Sequence, residues 1–381
     1  MPDLSLNLAI LGSKVAAYRQ QLSDTVDEVA VATGVPRARI TAIEAGALEP
    51  TGDEILILSD YFRCDYKVFL TNDAPPSSPP IQTLYRSKSD DFNKEDRRAI
   101  RDFLYLCETE HDLAKELGRL PTPFELPANA PSKLSASDAA AAVRTRLGYQ
   151  DRELPLDVFG DCRKLGIHVF RRRLGDSNIS GLFIVHPFAG KCVLVNSSED
   201  VYRQRFSAAH ELAHALFDAD TVARVSLRSE AKDPHERRAN SFASEYLMPT
   251  ALLRQLPKLS QSSDDDIRRL ANQFKVSCDA LGVAAQRARI ADRQQSLRVR
   301  GLRVAAADKV DPEIPMTLSD AQRRQKSALL DLGLSDHYVA LCFDAHRNGL
   351  ISAGRLAEAL LLSHGELQEV AVLYGRSLNG H

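Results

Sequence analysis

The sequence contains no apolar run approaching about 18 residues, so no transmembrane helix is expected. Residues 4–11 are apolar, but no basic cluster precedes them and no small-residue cleavage site follows, so no signal peptide is read. The six cysteines (Cys64, Cys107, Cys162, Cys192, Cys278, Cys342) are scattered and none forms a Cys-x-x-Cys pair. That argues against a cysteine zinc module and against a disulfide framework. Excess charge is lacking too: 49 Lys+Arg against 51 Asp+Glu leave a formal charge of −2, so any nucleic-acid contact must be local. There is no internal repeat. What remains is the profile of a cytoplasmic protein with no membrane partner. Its 381 residues suggest two or three domains, and 44% hydrophobic residues suffice to build their cores.

A proline-serine cluster at residues 74–80 is the clearest boundary. It closes an N-terminal unit, residues 1–73. Residues 81–134 read as a helical linker region, with a charged helix at 94–117 and a proline-rich stretch at 120–131. Helices are expected at 136–147 and 156–165, the latter stopped by Gly166. The period then changes: 167–170, 181–185 and 192–195 read as short strands, the last two joined by a turn at 186–191. Helices resume near Val201 and dominate to the end. The expected fold class is α+β, mostly helical, with a central domain at 135–290 and a basic linker and helical tail at 291–381.

In the N-terminal unit, Thr25 and Glu28 form a capping box that opens a short helix. Gly34 ends that helix, Pro36 opens the next, and Gly46 stops it. Ile40 and Ile43 give the second helix a buried face. Residues 7–70 resemble a phage-repressor-type (Xre/Cro) helix-turn-helix, which implies a five-helix domain. By that resemblance Arg37, Ala38, Arg39 and Thr41 would face the major groove of double-stranded DNA. Residues 1–70 carry six Lys/Arg and ten Asp/Glu, a poor balance for neutralising phosphates. A helical protein–protein module is therefore the alternative.

The chemistry centres on His210-Glu211-Leu212-Ala213-His214. Two histidines four apart on a helix project from one face and can bind one Zn²⁺. Glu211 falls where a carboxylate can take a proton from the attacking water. The surrounding apolar residues, Tyr202, Phe206, Ala209, Ala213, Leu216 and Phe217, indicate a buried helix, where unpaired histidines are costly. A third ligand is needed. The metzincin pattern fails, because Phe217 and Asp220 stand where Gly and His would be required. No cysteine lies close downstream. A second helix over residues 233–248 offers Glu236 and Glu245, nine apart and so on opposite faces. Glu236 is favoured because Asn240 shares its face and could orient a ligand histidine; His235 is a rival.

Residues 179–182, 195–196, 205–214 and 236–249 together resemble the ImmA/IrrE family of metallopeptidases. The resemblance spans about residues 135–290. It implies that His210, His214 and Glu236 hold zinc and that Glu211 is the catalytic base. It also implies a zincin fold with a small sheet beside the active helix, whose edge strand (181–185 or 192–195 here) holds the substrate as an added strand. The protein substrate would be an Xre-type repressor, which places the activity in gene regulation and the stress response. The alternative is a DNA-binding regulator or antitoxin whose zinc domain senses or dimerises without proteolysis, and a homodimer stays open. Tyr246 is a candidate oxyanion donor, with ordinary helix packing as its plainer reading.

Two further patterns carry weaker signals. Residues 344–351 begin like an EF-hand loop, but His346 and Arg355 occupy positions that should be acidic, so a turn between helices is expected. The basic run Arg287, Arg289, Arg293, Arg298, Arg300 and Arg303 reads as a solvated linker, or else as a contact for nucleic acid or an acidic partner.

Overall fold

The computed structural model describes all residues except 1–5, 73–91, 128–133, 176–177, 219–220, 222, 228–232 and 379–381. The proline-serine cluster at 74–80 thus lies outside the described residues. No helix among the described residues is long and apolar enough to cross a membrane. The chain divides into two compact units, residues 1–105 and 106–381.

The first unit opens with α1 (Leu8–Gln21), α2 (Val26–Thr33), α3 (Arg37–Glu44), α4 (Gly52–Phe62) and α5 (Lys67–Leu70). The capping box is present: Thr25 Oγ1 accepts from the Glu28 amide at 3.2 Å, and Glu28 accepts from the Thr25 amide at 2.8 Å. Gly34 takes a φ of +74°, where a left-handed residue ends α2. Pro36 caps α3 rather than sitting inside it. Leu11, Val15, Val29, Ile40, Ile43, Leu58 and Phe62 form the core. Helix α6 (Lys94–Glu116) carries residues of both units.

In the second unit, α7 (Ala136–Arg146) and α8 (Val158–Lys164) precede a four-stranded sheet. Its strands are β1 (His168–Arg172), β2 (Ile179–His186), β3 (Gly190–Asn196) and β4 (Ala223–Leu227), in the order β1-β3-β2-β4. β1 and β3 are parallel; the other pairs are antiparallel. This corrects two expectations. The strands proposed as the edge, β2 and β3, are the inner pair, and β4 is an edge strand where only helices were expected. β4 is a five-residue strand between the two longest helices of the site, and the strand signal of Val225 alone is weak.

One face of the sheet packs on α9 (Val201–Phe217) and α10 (Pro234–Leu247): Phe183, Val193 and Val195 share a core with Ala209, Leu212, Ala213, Phe242 and Ala243. Asp200 and Asp233 cap the two helices, and Pro234 occupies the first turn of α10. The core continues into α11 (Thr250–Leu253), α12 (Asp264–Phe274), α13 (Cys278–Arg287) and α14 (Arg293–Gly301). The basic run is not a linker. It lies on α13, α14 and their connections, where Arg287, Arg298 and Arg300 pair with Glu245, Asp264 and Asp279.

Four C-terminal helices follow: α15 (Asp320–Asp331), α16 (Asp336–Arg347), α17 (Ala353–Ala359) and α18 (His364–Leu373). The Tyr338 ring of α16 meets Phe170 of β1 edge-on at 5.4 Å, so this part packs on the sheet rather than trailing from it. Gly349, at φ +73°, makes the turn between α16 and α17, and Asp344 pairs with Arg119, Arg347 and Arg376.

Candidate metal centre

The site is assembled by α9, α10 and the sheet between them. α9 is fastened by Arg205, which is buried and donates to the carbonyls of Pro155 (2.7 Å), Lys275 (3.2 Å) and Leu156. Asn196, at the end of β3, accepts from the amides of Leu174 and Ser198 and donates to the Ile179 carbonyl at 2.8 Å. These two motif residues hold the frame in which the reactive side chains sit.

One turn apart on α9, His210 and His214 bring their Nε2 atoms to 3.1 Å from each other. Glu236, in the first turn of α10, reaches both: Oε2 lies 3.0 Å from His210 Nε2, and Oε1 lies 3.3 Å from His214 Nε2. The three donors lie within 4.8 Å of one another, the arrangement of a metal centre, and no other such group occurs among the described residues. Glu236 Oε1 is buried and completes no hydrogen bond among the described residues. A nitrogen-nitrogen-carboxylate set with one orphaned oxygen fits a divalent transition metal such as zinc.

The outer nitrogens are held as a metal site requires. His210 Nδ1 lies 3.1 Å from Asn240 Oδ1, and His214 Nδ1 lies 2.7 Å from Asp218 Oδ2. Each contact fixes its ring so that Nε2 faces inward. Asn240 is where the sequence reading put it. Asp218 was missed, although its spacing of four from His214 on the same helical face was a usable signal. Asp218 is a hub, because His235 Nδ1 (2.9 Å) and Arg238 (2.5 Å) also reach it. His235 therefore faces Asp218 and is absent from the cluster. Glu245 is also elsewhere, accepting from the amide and hydroxyl of Thr250. Tyr246 donates to Asp161 at 2.7 Å deep in the core and has no part in the centre.

Glu211 is fully buried beside the histidines. Neither carboxyl oxygen completes a well-formed hydrogen bond among the described residues, nor does the buried hydroxyl of Ser226 on β4, which faces Glu211 and acts to lower its pKa. Burial pushes the Glu211 pKa up, and the neighbouring histidines recover only part of the shift. For His214 burial acts downward, but the Asp218 and Glu236 carboxylates outweigh it and raise the value to about 9. Burial would raise Glu236, yet its two histidine contacts hold it well below the usual carboxylate range. Gly181 of β2 sits directly on the base: a Cβ there would lie 2.8 Å from Glu211 Oε1 and 2.9 Å from the Leu194 carbonyl.

In the first unit, Arg37, Ala38 and Thr41 are exposed on α3, whereas Arg39 holds Glu54 with both arms of its guanidinium. Arg37 makes an open pair with Asp27 at 3.2 Å.

Residues 162–286 match the peptidase-family model described as an IrrE N-terminal-like domain, and residues 15–69 match the model described as a helix-turn-helix. No curated protein compared with the chain matches it.

Proposed function

We propose that this chain, which carries an IrrE N-terminal-like peptidase domain and an Xre-type helix-turn-helix, is a zinc-dependent endopeptidase of gene regulation. Its substrate class is a specific protein partner, an Xre-type repressor, and its helix-turn-helix contacts double-stranded DNA. One observation carries the reading: His210, His214 and Glu236 converge beside a buried glutamate whose oxygens are left unsatisfied.

His210, His214 and Glu236 would hold the zinc. When bound, zinc polarises a carbonyl and lowers the pKa of a water towards about 7. Glu211 takes a proton from the attacking water as its oxygen bonds to the peptide carbon. It then passes that proton to the amide nitrogen as the C–N bond breaks, leaving a carboxylate and an amine. A carboxyl pushed upward by burial is suited to both halves of this transfer. Asp218 and Asn240 hold the histidines in the required tautomer. For DNA, the exposed Arg37, Ala38 and Thr41 are the better placed contacts of the four expected; Arg39 first has to leave Glu54.

The test is incubation of the zinc-loaded chain and its Glu211→Gln variant with candidate repressors, read by mass spectrometry of new termini. Cleavage by the parent and none by the variant is expected. Equal processing by both would remove the protease reading and leave a regulator that binds metal without hydrolysis.

A further inference from the structure

We propose that Arg224 is a further catalytic residue of this centre, the donor that holds the substrate's carbonyl oxygen as it gains negative charge. The inference rests on the metallopeptidase reading and adds a group that reading lacks.

Hydrolysis through a tetrahedral intermediate places charge on the carbonyl oxygen, and enzymes meet it with preorganised donors. Tyr246 is spent on Asp161. Arg224 lies on β4, where the antiparallel register sets it opposite Phe183 and sets Ser226 opposite Gly181. Strand alternation puts Arg224 and Ser226 on one face. That face is the active one: Gly181 abuts Glu211, and the Arg224 guanidinium lies 3.8 Å from Glu236 Oε1.

Among the described residues, anions surround the guanidinium and none binds it tightly. Its NH1 donates to Asp233 at 3.4 Å, and its Nε is 3.6 Å from Asp218. That Nε is buried without a hydrogen-bond partner among the described residues. Arginine has five donors and keeps its charge at any working pH, so spare donors are available here. A metal held by Glu236 would draw on that carboxylate's charge and weaken its pull on Arg224. A carbonyl oxygen gaining charge beside the metal would replace it. β4 is also an edge strand, so an extended peptide added along it would pass beside Arg224.

The competing role is a strut: Arg224 steadies Asp218, and so His214, without touching substrate. Full-length chain loaded with Co²⁺ separates the two by its visible absorption. Methylphosphonate serves as a tetrahedral oxyanion probe and acetohydroxamate as a ligand held by the metal itself. For Arg224→Gln we expect methylphosphonate affinity to fall about 10- to 100-fold, the loss of one charge-assisted hydrogen bond. Cobalt stoichiometry and acetohydroxamate affinity should match the parent, and Arg224→Lys should recover part of the loss. Unchanged methylphosphonate binding, an equal loss for both ligands, or lost cobalt overturns the proposal. A parent that takes up no cobalt overturns the metal reading as well. A parent that binds cobalt and both probes but cleaves no repressor overturns proteolysis alone.

Discussion

Replacing Gly181 by alanine adds one methyl group at the most crowded point of the centre. The new Cβ would meet Glu211 Oε1 at 2.8 Å, Glu211 Cγ at 3.0 Å and the Leu194 carbonyl oxygen at 2.9 Å. Real Cβ contacts are not this short, so something must yield. The carbonyl belongs to β3, an inner strand flanked on both sides, and cannot retreat cheaply. Glu211 is fully buried and hydrogen-bonded to nothing among the described residues, so it is the group that moves. Overpacking of this kind costs about 1–3 kcal/mol. In a large domain each kcal/mol lowers the melting temperature by about 2–4 °C. A base displaced by about 1 Å loses on the order of 100-fold in rate. Gly181→Ala should therefore lower stability modestly, cut cleavage strongly, and leave zinc content at the parental level, because Glu211 is no metal ligand. The measurements are a thermal melt, metal analysis and cleavage of a candidate repressor that the parent processes. Glu211→Ala in the same background removes two of the three close contacts, so the double variant should recover stability with a coupling of about 0.5 kcal/mol or more. Additive stabilities, or parental cleavage by Gly181→Ala, would refute the steric argument.

Asp218→Asn should weaken zinc binding by about 10- to 100-fold in chelator competition, since it removes the carboxylate that orients His214. In the first unit the two arginines of α3 should separate. Arg37→Ala should lower DNA affinity and the salt dependence by about one phosphate contact, read by titration at several salt concentrations. Arg39→Ala should instead lower the stability of the unit, because its partner is Glu54. The Arg39 guanidinium, opposed by burial and helped by the Thr51 amide, lowers the Glu54 pKa from 4.5 to about 2. A depressed folded-state pKa stabilises above the unfolded value and loses that contribution as pH falls. Melts between pH 4.5 and pH 2 should therefore show a fall in stability that Glu54→Gln reduces.

The parts of this architecture that sequence could reveal are those set by local rules. Helical spacing placed His210 and His214 on one face, and the same spacing on the second helix chose Glu236 with Asn240 over Glu245. The Thr25–Glu28 box and the left-handed Gly34 are likewise local, and both formed. The inner strands β2 and β3 were visible as apolar runs. What escaped depends on partners distant in sequence. β4 is a strand because β2 offers it an edge, not because residues 223–227 insist on it. The basic run lies on packed helices because Val299 is buried against the core, and its arginines meet Asp264, Asp279 and Glu245 at the surface. Tyr246 could have served catalysis by type, and only its bond to Asp161 removes it. The crowding that makes Gly181 necessary is set by Glu211, thirty residues on.

The ion pairs of Arg171 and Arg163 bear on where this chain can be cut. Arg171 of β1 is almost wholly buried and pairs with Asp311 at 2.7 Å and Glu313 at 2.8 Å; Arg163 pairs with Glu313 at 2.9 Å. Both arginines lie inside the 162–286 stretch that matches the peptidase family, and both acids lie beyond it. Trimming the chain to the family boundary would strand two buried cations, and breaking a buried pair costs about 3–5 kcal/mol. The outer face of β1 would also lose the Tyr338 ring. The recognisable peptidase segment is thus not a portable module in this protein. An expression fragment, a domain swap or an isolated core that keeps these contacts has to run past the family boundary far enough to include Asp311, Glu313 and Tyr338.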